Sequence, residues 1–269
     1  MRKNGYFVID DYIDSRTIKN YMFFPLTING EEYFFKWIKN EPDSYNELIA
    51  EELAKDFDIP CAHYDLASYH EFKGVITKNF VKKSDFFFSA YDLMKRFLPE
   101  SETKYDSIKY NHLDFYKEHV PSDVFEQIKD MFIFDILLAN IDRTESNFGF
   151  IKNENGIKLA PLYDHEKILS KSSIVEGFYR LAVDKDDNIR EFYRDPLRYN
   201  NIVRKFILKY KKEELIKKKL DLIALENIGG VISRVEDRIE ADIPDKKVIE
   251  TKRLFYENSI KIEKQLYKE

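Results

Sequence analysis

The placement of glycine constrains this chain more than any other feature. Only 8 of its 269 residues are glycine, at positions 5, 30, 74, 149, 156, 177, 229 and 230. No G-x-G-x-x-G loop and no G-x-x-x-x-G-K-[ST] loop can be written anywhere in it. Those loops depend on glycine because the backbone must turn tightly and approach a phosphate closely. Walker-type NTPases, Rossmann dinucleotide enzymes and protein kinases with a glycine-rich lid are therefore excluded in their usual forms.

Charge and cysteine content narrow the field further. The chain carries 49 acidic and 44 basic residues, a net charge of -5, which argues against a protein that coats nucleic acid. Aromatic residues make up 15% and charged residues 35%, the composition of a folded globule with a polar surface. The length allows two lobes. Cys61 is the single cysteine and the 5 histidines are scattered, so there is neither an intrachain disulfide nor a zinc-ligand cluster. Asp10, Asp11 and Asp14 stand where a signal peptide needs an apolar stretch. The longest apolar run, 131–141, is interrupted by Asp135 and falls far short of the ~20 residues that span a bilayer. The expectation is a soluble, cytoplasmic protein with no membrane partner and no direct nucleic-acid partner.

The first third reads as strands around one helix. Segments 6–12, 21–28 and 33–38 are rich in aromatic and branched residues, and Asn29-Gly30 between the last two is a strong hairpin signal. A period of two puts Phe34 and Lys36 on one face and Tyr33, Phe35 and Trp37 on the other. Ser44, with Glu47 three residues on, predicts a capping box opening a helix that runs to about residue 58. Strands at 62–69 and 74–81 complete a small lobe, 1–81, of about five strands and one helix, after which the β character is expected to stop.

The remainder, 82–269, reads as mostly helical, so the fold class is α+β. Pro121-Ser122-Asp123 opens a helix, about 124–139, whose apolar residues nearly encircle it, as in a buried helix. It feeds the polar stretch 140–147. A hairpin follows, turning at 153–156, and delivers Pro161-Leu162-Tyr163-Asp164. From 189 onward the pattern is amphipathic helices with breaks near Gly229-Gly230 and Pro244.

The polar loop carries the chemistry. Asp142 and Asn147 stand in a D-x-x-x-x-N spacing, and Asp164 ends the next hairpin. Phosphoryl transfer needs a carboxylate to orient the acceptor hydroxyl, oxygen ligands for Mg²⁺ and a cation on the nucleotide phosphates. On the order of one such spacing would arise by chance in a chain this rich in Asp and Asn. The context makes it specific: a buried helix before it, an Asp-terminated hairpin after it, and a Lys-bearing strand and Glu-bearing helix upstream.

Phe134-Asp135-Ile136-Leu137-Leu138-Ala139-Asn140-Ile141-Asp142-Arg143, Asn147-Phe148-Gly149-Phe150-Ile151 and Leu159-Ala160-Pro161-Leu162-Tyr163-Asp164 resemble the catalytic and metal-binding segments of HipA-like serine/threonine kinases. The likeness is strongest to their compact, CtkA-like bacterial members. Tyr33-Phe34-Phe35-Lys36, the 46–54 helix, Ile59-Pro60 and Gly74-Val75-Ile76-Thr77-Lys78-Asn79-Phe80 are similar to the nucleotide-binding lobe of that family. The resemblance covers about 15–170. It implies a two-lobed protein-kinase-like fold with a nucleotide-binding N-lobe (1–81) and a helical C-lobe (82–269) carrying the catalytic loop and metal site. It further implies ATP and Mg²⁺ as cofactors, Asp142 as catalytic base and Asn147 and Asp164 as metal ligands. Lys36 becomes the phosphate-binding lysine, Glu47 its carboxylate partner, and 78–81 the adenine hinge, with Lys78 and Phe80 in it. Ser15 and Thr17 fall where the family has a phosphate loop and are candidate autophosphorylation sites. With no glycine between 14 and 28, hydroxyl and backbone N–H groups around 15–20 would have to hold the phosphates.

Two positions depart from the family pattern: Thr144 stands where a histidine is usual, and Glu166 where a glycine is usual. Each site residue also has a plain structural reading. Asp142 can cap a turn, Asn147 and Asp164 can be turn residues, and Lys36 can snorkel from an edge strand. Glu47 is explained by the capping box alone, Arg143 by a structural ion pair, and Ser15 and Thr17 by a Ser/Thr turn. His165 reads as structural, and the lysines at 209–219 as a solvated helix face.

The expected activity is transfer of the γ-phosphoryl of Mg-ATP to a protein Ser or Thr, the protein itself included. Alternatives are a lipid or small-molecule hydroxyl as acceptor, or a nucleotide-binding pseudokinase acting as a regulatory partner. The expected partners are a protein substrate and an antitoxin or host protein.

Overall fold

The computed structural model of the chain describes residues 2–3, 5–9, 23–98, 112–140, 143–169, 182–183, 189–190 and 225–266. Its first part contains strands β1 (Arg2–Lys3), β2 (Tyr6–Val8), β3 (Phe23–Ile28) and β4 (Glu31–Trp37), helix α1 (Ser44–Asp56), and strands β5 (Tyr64–Tyr69) and β6 (Phe72–Lys78). The strands form one six-stranded sheet in the order β1-β2-β5-β6-β4-β3. All pairings are antiparallel except that of β2 with β5. At the β3–β4 hairpin Asn29 and Gly30 have φ of 53° and 78°, the two positive values that a type I′ turn needs.

The two faces of β4 divide as its alternation predicts. Phe35 is fully buried in a cluster with Phe24, Leu26, Tyr69, Phe72 and Ile76, and Tyr33 and Trp37 pack against it. Lys36 lies on the opposite face, toward α1. The sheet can close there only because β6 carries Gly74: a Cβ at that position would sit 1.9 Å from the carbonyl oxygen of Lys36.

The expected capping box at the start of α1 does not form. A 3₁₀ turn, Glu41–Asp43, leads into the helix, Asp43 is the N-cap without a side-chain bond, and Ser44 is the first helical residue. The reason is competition, because the Glu47 carboxylate is already taken by Lys36 and by the backbone N–H of His165.

The second part contains β7 (Phe86–Ser89), α2 (Ala90–Phe97), α3 (His112–His119), α4 (Ser122–Leu137), β8 (Gly149–Asn153) and β9 (Gly156–Leu159). Two-residue strands β10 (Ala182–Val183) and β11 (Ile189–Arg190) follow, then α5 (Leu225–Ile239) and α6 (Asp245–Leu266). Three expectations are corrected here. The β character does not end at 81, because Phe86–Ser89 pairs with β8 to make a three-stranded β7-β8-β9 sheet. Residues 189–190 are strand, paired with 182–183. Gly229 and Gly230 lie inside α5 and do not break it. Each interior glycine costs about 1 kcal/mol relative to alanine, and burial of Ile228, Val231, Ile232 and Val235 on one helix face outweighs that.

A single hydrophobic cluster ties these pieces together. It takes Leu48 and Ile49 from α1, Ile128 and Phe132 from α4, Val231 from α5 and Phe255 from α6. Helix α4 is buried along nearly its whole second half, from Met131 to Leu137, as its all-round apolar pattern predicts. Its C-terminal carbonyls are satisfied by α6: Asn258 Nδ2 donates to the carbonyls of Ile136 (3.1 Å) and Leu137 (2.8 Å). Among the described residues no helix is long and apolar enough to cross a membrane.

Candidate active site

The site starts where α4 stops. Ala139 takes a left-handed φ of 50°, and the Asn140 backbone and side chain both bond back to Asp135, the latter at 2.8 Å. Asp135 is fully buried and receives Arg143 through two N–H groups, Nε at 2.8 Å and Nη2 at 3.1 Å. The same guanidinium donates through Nη1 to the carbonyls of Asn147 (2.5 Å) and Tyr163 (2.6 Å), and through Nη2 to His165 Nε2 (2.8 Å). Arg143 thus binds the end of α4, the polar loop and the Asp164 segment into one unit. Burial pulls its pKa down, but Asp135 and then Asp164 outweigh that and keep it charged.

The expected base, Asp142, lies outside the described residues, as do Ser15 and Thr17. Asn147 closes a turn through its N–H to the Thr144 carbonyl (2.9 Å) and is half-buried. The Tyr163 hydroxyl donates to the carbonyl of its neighbour Ser146 at 3.1 Å, pinning the β9 exit against this loop. Asp164 sits in the left-handed region, φ 64°, and its N–H donates to the Tyr64 hydroxyl at 3.4 Å. That unusual backbone turns its carboxylate toward the sheet.

Lys36 meets it there. Its ammonium contacts Asp164 Oδ1, Glu47 Oε1 at 3.0 Å and Glu166 Oε2 at 3.1 Å. Residues from β4, from α1 and from the segment after β9, which lies more than a hundred positions further along the chain, thereby converge on one nitrogen. Burial works against the charged lysine, but Glu47, Asp164 and Glu166 together raise its pKa above the ordinary value. Glu47 is fully enclosed, and burial pushes its carboxyl upward while Lys36 pulls it down. Glu47 is therefore the ammonium's partner and not a helix cap.

His165 closes the circuit. It is buried, its backbone N–H donates to Glu47 Oε2 at 2.7 Å, and its ring Nε2 accepts from Arg143, which can only donate. Burial, then Arg143 and Lys36, hold its pKa well below 6.5, so the ring is neutral. Asp135, Arg143, His165, Glu47 and Lys36 make a continuous polar chain between the two parts of the molecule.

Phe34, on the same face of β4 as Lys36, helps line a cavity of about 480 Å³ together with Phe23, Thr77, Phe80, Phe87 and Tyr163, among others. That volume and apolar lining suit a flat, ligand-sized ring system. Phe23 and Phe34 stack at 4.9 Å, and Phe80 stacks on Tyr163 at 6.1 Å. Phe80 and Val81 line the cavity, whereas Lys78 does not: its half-exposed ammonium pairs with Glu31 where β6 ends and β4 begins. Phe34 was legible in advance, because it shares a face with Lys36. Tyr64 and Phe87 carry no local signal for this role.

The donors fit a hard cation next to phosphate. Asp164 and Asn147 offer oxygen ligands, and Lys36 supplies a neighbouring positive charge. Among the described residues no group of three or more His, Cys, Asp or Glu forms a ready-made metal cage. A bound Mg²⁺ would complete its shell with phosphate oxygens and water, as that ion usually does.

Fold and site together define a class: a two-lobed, kinase-like α+β protein with a Lys–Glu pair and an Asp at the lobe junction. The model of the HipA-like C-terminal domain matches residues 18–224, and the chain belongs to that family. The fold is similar to that of the Helicobacter pylori proinflammatory kinase CtkA, with a TM-score of 0.62 and 17% identity over 91% of this chain and 92% of that one. It is also similar to HipA of the Shewanella oneidensis MR-1 toxin–antitoxin system, solved with HipB and operator DNA. There the TM-score is 0.58 and the identity 17%, over 90% of this chain and 63% of that one. No curated protein sequence matches the chain.

Proposed function

We propose that the protein is an ATP-dependent serine/threonine protein kinase. The observation that carries this reading is Lys36, held by Glu47 and Asp164 on the strand face whose Phe34 lines an apolar, ring-sized cavity. Adenine would occupy the cavity between Phe34, Phe80 and Tyr163, leaving the phosphates near Lys36. Asp164 and Asn147 would hold Mg²⁺, which supplies charge neutralisation on the phosphates. Asp142 would orient the acceptor hydroxyl and take its proton, a role worth typically about 10² to 10⁴ in rate. Family membership and the kinase-like fold support this assignment. The HipA neighbour, solved with HipB, makes an antitoxin-like protein a reasonable partner to test alongside the protein substrate.

Incubation with γ-labelled ATP and Mg²⁺, followed by mass spectrometry of the protein itself, tests catalysis and the Ser15/Thr17 candidates together. Asp164→Asn should abolish labelling with the fold intact, and full labelling by that variant would sink the assignment. Acceptor screens across proteins, lipids and small molecules identify the hydroxyl. The ion pair of Glu166 with Lys36 favours one second reading, a nucleotide-binding pseudokinase; Mg²⁺-dependent ATP binding without turnover would establish it.

A further inference from the structure

Among the described residues, Glu166 is the one carboxylate on Lys36 that phosphoryl transfer does not call for. Its Oε2 lies 3.1 Å from Lys36 Nζ and its Oε1 3.1 Å from Lys167 Nζ, so the side chain is held from both ends. Its backbone is fixed as well, since Asn46 Nδ2 donates to the Glu166 carbonyl at 2.7 Å, and Asn46 Oδ1 accepts from the buried Lys247 at 2.6 Å. The carboxylate is only 16% exposed and competes for the cation that a phosphate would need. Three carboxylates, Glu47, Asp164 and Glu166, already share Lys36. Glu47 is enclosed and Asp164 is assigned to the metal. Glu166 is the remaining member, a partly exposed carboxylate on the ammonium.

We propose that Glu166 sets the nucleotide affinity of this site: it occupies Lys36 as an internal anion, and nucleotide binds only by displacing it. This rests on the kinase reading above and adds to it a specific preference for metal-loaded over metal-free nucleotide. Free ATP brings negative charge toward three carboxylates and one shared ammonium, whereas Mg²⁺ engages Asp164 and offsets the repulsion. Lys167 offers the displaced carboxylate an alternative partner, so displacement leaves no unpaired charge.

The test is calorimetric binding of a non-hydrolysable ATP analogue, with Mg²⁺ and with EDTA, to wild type, Glu166→Gln and Glu166→Gly. Both variants should bind about tenfold more tightly than wild type in EDTA and gain less with Mg²⁺, because removing one like charge matters most when no metal offsets it. Unchanged or weaker binding by both variants, with wild type still binding, overturns this role for Glu166 and leaves the kinase reading standing. Absence of binding by all three proteins in both conditions overturns both. A thermal melt of each variant confirms the fold, and the glycine form provides a second removal of the carboxylate should the glutamine form fail to fold.

Discussion

Arg143 and Asp135 form a two-pronged ion pair sealed from solvent, with side-chain exposures of 1% and 0%. The pair is the junction at which the end of a buried helix, the polar loop and the Asp164 segment are fixed to one another. A buried pair gains little over a well-packed apolar substitute, but removing one partner strands the other charge.

Arg143→Met should therefore destabilise the protein by about 3–5 kcal/mol. Arg143→Met combined with Asp135→Leu should cost clearly less than the sum of the two single changes. Urea unfolding of the four proteins of this cycle provides the measurement, and additivity would show that the pair is not coupled.

Gly74→Ala should disturb the Lys36 site, the proposed nucleotide site, without touching its side chains. The new Cβ would meet the Lys36 carbonyl at 1.9 Å, a contact that only moving β4 and β6 apart can relieve. One of these two strands is the one that presents Lys36. A stability loss of about 1–3 kcal/mol, typical of overpacking, is expected, together with weaker binding of a fluorescent ATP analogue.

Asn258→Ala should loosen the polar loop that follows α4. It removes the Asn258 donor from the Leu137 carbonyl at a cost of about 1–3 kcal/mol, while the Ile136 carbonyl keeps the Ala139 N–H at 3.2 Å. Hydrogen exchange should quicken first at Leu138 to Asn140, and unchanged exchange there would mean that α6 does not support the loop.

Acid and base act differently on the Glu51–His63 pair. His63 Nδ1 lies 2.8 Å from Glu51 Oε1, and that bond raises the His63 pKa above 6.5 despite partial burial. A group with a raised folded value stabilises fully below its unfolded pKa. This contribution is lost as pH climbs from about 6.5 through the folded value. The ring is largely exposed, so the melting temperature should fall by less than about 2 °C between pH 6 and pH 8. Glu51 behaves oppositely: burial pushes its carboxyl up, but His63, Arg238 and the Tyr64 N–H outweigh that and lower it. Its contribution is present above its ordinary value of 4.5 and is lost as pH falls through the folded value. His63→Gln should flatten the first slope and weaken the second without abolishing it, because Arg238 still holds Glu51 at 2.8 Å.

The local features of the chain were legible wherever one short segment sufficed to specify them. Asn29-Gly30 required its turn, the alternation of β4 required Lys36 to oppose Phe35, and the apolar circumference of α4 required burial. The family likeness was carried by contiguous residues around the polar loop and could be read for the same reason. What could not be read depended on partners distant in sequence. Phe86–Ser89 is a strand because β8 offers it an edge, and Gly229-Gly230 stays helical because its neighbours are buried. Glu47 has two competing uses that look alike in sequence, a cap for its own helix or a partner for Lys36. A carboxylate makes its best bond with the nearest buried charge, and only the folded chain brings Lys36 within 3.0 Å. The same holds for Glu166, whose substitution for glycine is visible in the sequence but whose grip on Lys36 is not. Sequence alone determined which side chains the site has available; tertiary structure decided which of them face one another, because ion pairing depends on distance and burial rather than on order along the chain.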